Sequence, residues 1–147
     1  MNLKIRLKDK TLMPTRANPT DAGLDLRAAV AMLIPPFTPT LIDTGVSVQI
    51  PTNHVGLVFS RSGLAKLGVT LSNSVGVIDS DYRGNIMVSM MCNVEHDREV
   101  FIAKGDRIAQ LVVVPIVLPE IQVVDEDDEE WLNTARGTGG FGSTGTN

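Results

Sequence analysis

A single cysteine, Cys92, stands in 147 residues. It excludes an internal disulfide framework and suits a reducing compartment. It lies in the apolar run after Met91, where packing accounts for it better than nucleophilic work does. Histidine is nearly as scarce, and His54 and His96 share no spacing with Cys92 that would build a zinc site. Long apolar runs are missing too. The longest, Leu111 to Leu118, is broken by Pro115 and falls far short of the ~20 residues that span a bilayer, so no membrane role is expected. Met1 to Lys10 carries Lys4, Arg6, Lys8 and Lys10 around no apolar centre, unlike a secretory leader, and a cytoplasmic protein is expected. Internal repeats and sustained helical periodicity are also lacking.

What is present is the composition of a packed domain, 43% apolar and 20% charged. A chain of this length buries about two-thirds of its unfolded surface as one domain. The net charge of −4 is unevenly placed. Asp125 to Glu130 is a run of six acids; without it the 17 acidic residues fall to 11, against 13 basic, and the body stands at +2. Self-repulsion should keep that run solvated and extended. A body at +2 is no nucleic-acid footprint, but it suits a small anion held by a few placed arginines.

Leu3 to Lys8 alternates apolar and basic residues, the period of a half-buried strand. Further strands are expected as a pair within Leu41 to Ile50, over Val55 to Phe59, around Val100 to Ala103, from Ile108 to Val114, and over Ile121 to Val124. Pro14, Pro19, Pro35-Pro36, Pro39 and Pro51 punctuate the connections. One short helix is expected within Ser60 to Gly68, stopped by its glycine. Short strands at regular spacing indicate an all-β barrel or double-sheet jelly roll. Beyond Val124 come the acidic run and then a glycine-rich arm. We divide the chain into a β body over 1–124, an acidic linker over 125–135 and an arm over 136–147.

Asn73 to Asn85 is where chemistry concentrates. Val75, Val77 and Ile78 run into Ser80-Asp81-Tyr82-Arg83-Gly84, and a second β-type run follows from Ile86 to Met91, which reads as a hairpin. Asp79 and Tyr82, the only tyrosine, sit at its mouth. The segment is either a solvated turn or the rim of a pocket bearing a carboxylate and an aromatic ring. Arg61-Ser62-Gly63, where a strand gives way to the short helix, is either an ordinary cap or an anion site. Gly105 to Gln110 reads as a turn entering a strand, with Gln110 an unexplained polar residue. Asp25 is a turn residue or a carboxylate for phosphate-bound magnesium, which needs only one or two. The arm is a plain linker or a phosphate-binding lid. No lysine follows its glycines, so it is not a P-loop.

Five segments in this order, Ala22–Leu26, Arg61–Ala65, Asn73–Gly84, Gly105–Gln110 and Arg136–Gly145, resemble the five motifs of the trimeric dUTPase family over essentially the whole chain. The resemblance implies a distorted jelly-roll subunit of the dUTPase β-clip type, with one short helix and a glycine-rich C-terminal arm. It further implies a homotrimer that hydrolyses dUTP to dUMP and pyrophosphate with Mg2+, keeping uracil out of DNA and supplying dUMP for thymidylate synthesis.

By the same resemblance, Asp79 is the general base for water attacking the α-phosphorus. Tyr82 packs on the deoxyribose and excludes a 2′-hydroxyl. Backbone groups around Val77, Ile78 and Met87, with the Asn73 side chain, read uracil. Arg61, Ser62, Gly63 and Gln110 cradle the phosphates, and Asp25 holds magnesium through water. Phe141 and Gly142 close over the base, while Arg136, Ser143 and Thr144 grip the phosphate chain. The arm of one subunit covers a site built by two others. Ser60, Asn85 and Asn133-Thr134-Ala135 depart from the family pattern; glutamate or glutamine is common at the position of Asn85. A related dCTP deaminase, or a nucleotide-sensing trimer that binds a protein partner, are the alternatives.

Overall fold

Alternation of exposed and partly buried residues makes Lys4–Leu7 the first strand, β1, and a 3-10 turn over Lys10–Leu12 follows, capped by Asp9. The computed structural model describes residues 2–94 and 99–140. The strands continue as β2 (Leu24–Arg27), β3 (Met32–Ile34), β4 (Thr40–Asp43), β5 (Val46–Gln49) and β6 (His54–Ser60). Helix α1 (Ser62–Ala65) interrupts them for a single turn. Then come β7 (Val69–Leu71), β8 (Gly76–Ile78), β9 (Met87–Cys92), β10 (Val100–Ile102) and β11 (Arg107–Pro115).

Among the described residues the ladders between strands are antiparallel and form four small sheets: β1-β5, β3-β10, β4-β9-β7 and β2-β11-β6-β8. The two strands expected within Leu41 to Ile50 exist as β4 and β5 but do not pair with each other. Gly45, at φ +66, turns the chain so that β4 joins β9 and β5 joins β1. Switching sheets at such corners is what gives a jelly-roll-like β fold. One core fills the space between sheets, built from residues such as Leu26, Ile42, Val46, Ile86, Val88, Met90, Ile108 and Leu111, none more than 2% exposed. Cys92 belongs to this core.

Gly68 stops the chain after α1 at φ +74, as expected. β3 and β7, three residues each, fall where the sequence offers no alternation long enough to read. Ile121 to Val124 is not a strand: no ladder includes it, and Ile121 and Val123 are almost fully exposed.

The first compact unit runs from Met1 to Val117 and a second from Leu118 to Asn147. Within the second, the acidic run is not wholly extended. Asp128 caps a one-turn helix, α2 (Glu129–Leu132), its carboxylate accepting from the Trp131 N–H at 2.8 Å. Glu129 and Glu130 occupy the first turn, where backbone N–H groups offset their mutual repulsion. Among the described residues no helix is long and apolar enough to cross a membrane.

Candidate active site

The ladder between β2 and β11 sets Asp25 opposite Gln110. Between Arg107 and Ala109 the register slips, because Arg107 faces Arg27 while Ala109 already faces Leu26. In an unbroken ladder Arg107 and Gln110 would point to opposite faces of the sheet. The bulge at Ile108 returns them to one face. Arg107 Nη1 then donates to Asp25 Oδ2 at 3.2 Å, and Arg61 Nε, at the end of β6, donates to Oδ1 at 2.8 Å. One mostly buried carboxylate with two guanidiniums leaves a net positive cluster, suited to an anion.

Gln110 is held by the Ser60 carbonyl, to which its Nε2 donates at 3.1 Å. A Cβ on Gly23 would lie 2.5 Å from Gln110 Oε1, so glycine is what lets this amide occupy its place. Gly23, Asp25, Arg61, Ser62 and Gln110 line one open pocket of about 340 Å³. Gly63 stands exposed at its edge, and a Cβ there would meet nothing within 4 Å. Among the described residues nothing in the packing requires a glycine at 63.

The second cluster lies on the segment from Asn73 to Met87. Its two arms do not form the expected hairpin. β8 pairs with β6 and β9 with β4 and β7, so the arms belong to different sheets and share no ladder. Eight residues from Asp79 to Ile86 separate them, too many for a tight two-residue turn to enforce pairing. The consequence is chemical. The outer edge of β8 carries backbone N–H and C=O groups that no strand among the described residues pairs. Asn73 precedes β8 in a turn closed by Ser74 at φ +62, and its Nδ2 lies on the Gly76 side of that turn. Val77, Tyr82 and Met87 are all well exposed for apolar residues, and Asp79 is exposed directly after β8.

Tyr82 is not free to swing. Its hydroxyl donates to the Asn85 carbonyl at 2.9 Å, and its ring lies so close over Gly84 that a Cβ there would collide with it. Asn85 in turn donates through Nδ2 to both carboxylate oxygens of Asp43, each at 3.1 Å, and accepts from Ser47 Oγ at 2.9 Å. Burial by itself raises the pKa of Asp43. Hydrogen bonds from Lys8, the Gly45 N–H and Asn85 outweigh it and hold the carboxyl below its ordinary value.

Within one chain the two clusters stand apart. β2 and β8 are the opposite edges of one four-stranded sheet, and the Asp25 row meets β8 about four residues before Asp79. Three strand spacings across and four residues along place Asp25 and Asp79 roughly 20 Å apart.

In the second unit, Arg136 Nε donates to the Gly139 carbonyl at 2.8 Å, which folds the guanidinium onto its own turn. Phe141, Gly142, Ser143 and Thr144 lie outside the described residues. Among the described residues no group of three or more His, Cys, Asp or Glu side chains is arranged to hold a metal. The donor set fits magnesium only as an ion carried by phosphates, touching the protein through one carboxylate and its own waters. Asp21 and Asp25 are the carboxylates that line the pocket.

Sequence reasoning passed over Arg107, Asp43 and Asn85. Arg107 stands in a quoted motif, but only the bulge aims it at Asp25. Asp43 and Asn85 lie 42 residues apart and are joined by the fold alone.

A model of the dUTPase family matches residues 9–145. The chain is 42% identical over 142 residues to the deoxyuridine 5'-triphosphate nucleotidohydrolase of Corynebacterium jeikeium, covering 96% of this chain and 90% of that one. To the enzyme of the same name from a Mycobacterium species it is 46% identical over 143 residues, covering 96% and 92%. Among solved structures, a mutant dUTPase of Staphylococcus bacteriophage 80alpha with dUpNHpp superposes with a TM-score of 0.83 at 31% identity, covering 99% of each chain. A dUTPase mutant from phage phi11 of S. aureus, described as coordinating a structural Mg(II) ion, superposes with a TM-score of 0.76 at 31% identity, covering 87% of this chain and 99% of that one.

Proposed function

The chain belongs to the dUTPase family and hydrolyses dUTP to dUMP and pyrophosphate, and we propose that it does so in a site that no single copy of the chain completes. One observation carries this reading: the strand register puts Asp79 and the Asp25 pocket at opposite edges of a single sheet, which ideal strand spacings translate to roughly 20 Å. In-line attack requires the nucleophile within about 3–3.5 Å of the phosphorus. A triphosphate cradled by Arg61, Ser62, Gly63 and Gln110 of one copy therefore takes its base from Asp79 of another. This supports a site shared between copies of the chain, which we read as a homotrimer acting on dUTP.

In this reading Asp79 accepts the proton of the water that attacks the α-phosphorus, so oxygen from solvent ends on dUMP. The unpaired edge of β8 at Val77 and Ile78, with Met87 and the Asn73 side chain, supplies donors and acceptors for uracil. A base with an exocyclic amine would leave some of them unpaired, at about 1–3 kcal/mol per group. The Tyr82 ring, fixed over Gly84, covers the face of the sugar and leaves no room for a 2′-hydroxyl. Asp25 holds Mg2+ through water, and the ion, when bound, neutralises phosphate charge. Arg61 and Arg107 add fixed positive charge beside it.

Residues 136–147 act as a lid on a linker spanning 125–135, with Arg136, Ser143 and Thr144 at the phosphates and Phe141 and Gly142 over the base. A reducing, cytoplasmic setting accords with the lone buried Cys92. Neither a deaminase nor a trimer that only senses nucleotide is favoured, since the relatives at 42–46% identity carry the nucleotidohydrolase name.

Subunit mixing tests the shared site. Chains carrying Asp79→Asn and chains carrying Gln110→Ala, each nearly inactive alone, should recover activity when unfolded and refolded together. No recovery, with mixed trimers demonstrated by mass, would refute the sharing.

A further inference from the structure

We propose that Asn85 is the positioning residue for sugar selectivity, acting with Asp43 as a matched pair that sets the pose of Tyr82. The inference rests on the reading that the Tyr82 ring meets the deoxyribose, and goes beyond it by assigning what holds the ring.

The chain of contacts is continuous. The Tyr82 hydroxyl has its partner in the Asn85 carbonyl at 2.9 Å. That carbonyl is immobilised from both sides. On one side the Asn85 amide bridges Asp43 and Ser47. On the other, Ile86 is fully buried, its N–H donates to the Val46 carbonyl at 2.8 Å, and its carbonyl accepts from Thr44 Oγ1 at 2.8 Å. Tyr82 itself belongs to an exposed loop, and its hydroxyl ties the ring to Asn85.

The orientation of the amide follows from chemistry. An ionised carboxylate only accepts, so the nitrogen must face Asp43 and the oxygen must take the Ser47 hydroxyl. The pair is matched for the same reason. Asp43 is already held by Lys8 Nζ at 2.7 Å and by the Gly45 N–H at 2.7 Å, which fix it as an anion. A carboxylate at position 85 would face it without a proton to share. Asn85 is thus matched to a residue 42 positions earlier.

Sugar selectivity is read as the ratio of kcat/KM for dUTP to that for UTP, on variants whose trimer mass and Tm are measured in parallel. Asn85→Asp should lower the ratio by about tenfold or more, through a rise in relative UTP turnover. Asn85→Asp combined with Asp43→Asn, which exchanges the partners, should restore part of it. Tyr82→Phe cuts the same tie from the ring's end without touching Asp43, and should shift the ratio in the same direction even if the Asn85 variants fold poorly. An unchanged ratio in both Asn85→Asp and Tyr82→Phe, whatever happens to Tm, overturns the proposal. Tyr82→Ala separates the two levels. If it relaxes selectivity while the other variants do not, the anchor alone is wrong; if it too leaves the ratio unchanged, the placement of Tyr82 on the sugar fails first.

Discussion

Asp79 and Gly23 show how differently two site residues can work. Asp79 is exposed, and among the described residues no hydrogen bond reaches its carboxylate, so its substitution should touch chemistry and little else. Asp79→Asn is expected to lower kcat by about 10²–10⁴ while leaving affinity for a non-hydrolysable dUTP analogue within a few-fold, measured by turnover and calorimetry. Gly23 acts through a neighbour. Gly23→Ala must push the Gln110 amide away, since the new Cβ would stand 2.5 Å from its oxygen. KM for dUTP should rise several-fold with a smaller change in kcat, because a ground-state contact to phosphate is what moves. Asp79 and Asp25 were singled out as candidates by motif order in the sequence. Arg107 was not, because its aim depends on a bulge that composition does not reveal.

At the scale of elements, acid should loosen the packing of two loops. Asp9 caps the 3-10 turn, and its hydrogen bond from Lys104, with two more from Thr11, lowers its pKa to about 2. The Asp43 carboxyl is also depressed, for the reasons given above. Groups with folded pKa values below their unfolded ones contribute stability that is full above the unfolded pKa, about 4, and disappears as pH falls through the folded value. Urea midpoints should therefore be level above pH 5 and fall between about pH 4 and pH 2, and Asp9→Asn should flatten part of that slope. A second test concerns the stop after α1. Gly68→Ala places a Cβ at φ +74 against Val94 and should cost about 1–3 kcal/mol in unfolding free energy. Gly68 could be read from the sequence as a stop. The hairpin could not be read correctly, because alternation identifies strands but not their partners, and β8 and β9 found theirs in different sheets.

For the whole molecule, the decisive feature is that Met1–Val117 and Leu118–Asn147 are separate compact units. Truncation after Thr134 should abolish most turnover while leaving the thermal transition and trimer mass of the body unchanged. Activity at the level of the full chain would remove the lid from the mechanism. The acidic run belongs to this scale as well. Counting charges predicts a solvated stretch, yet Asp128 to Leu132 folds into a capped turn, because a helix N-terminus accepts the acids that would otherwise only repel.

By itself the sequence determined the fold class and the membership of the family, and it singled out a set of candidate site residues, since these are written in alternation, punctuation and the order of short motifs. The tertiary structure decided which of those residues meet. Strand partnership, the bulge that turns Arg107 toward Asp25, and the joining of Asp43 to Asn85 across 42 residues are long-range outcomes of burying one core. Local pattern fixes which face a side chain occupies, but only packing fixes what stands opposite that face.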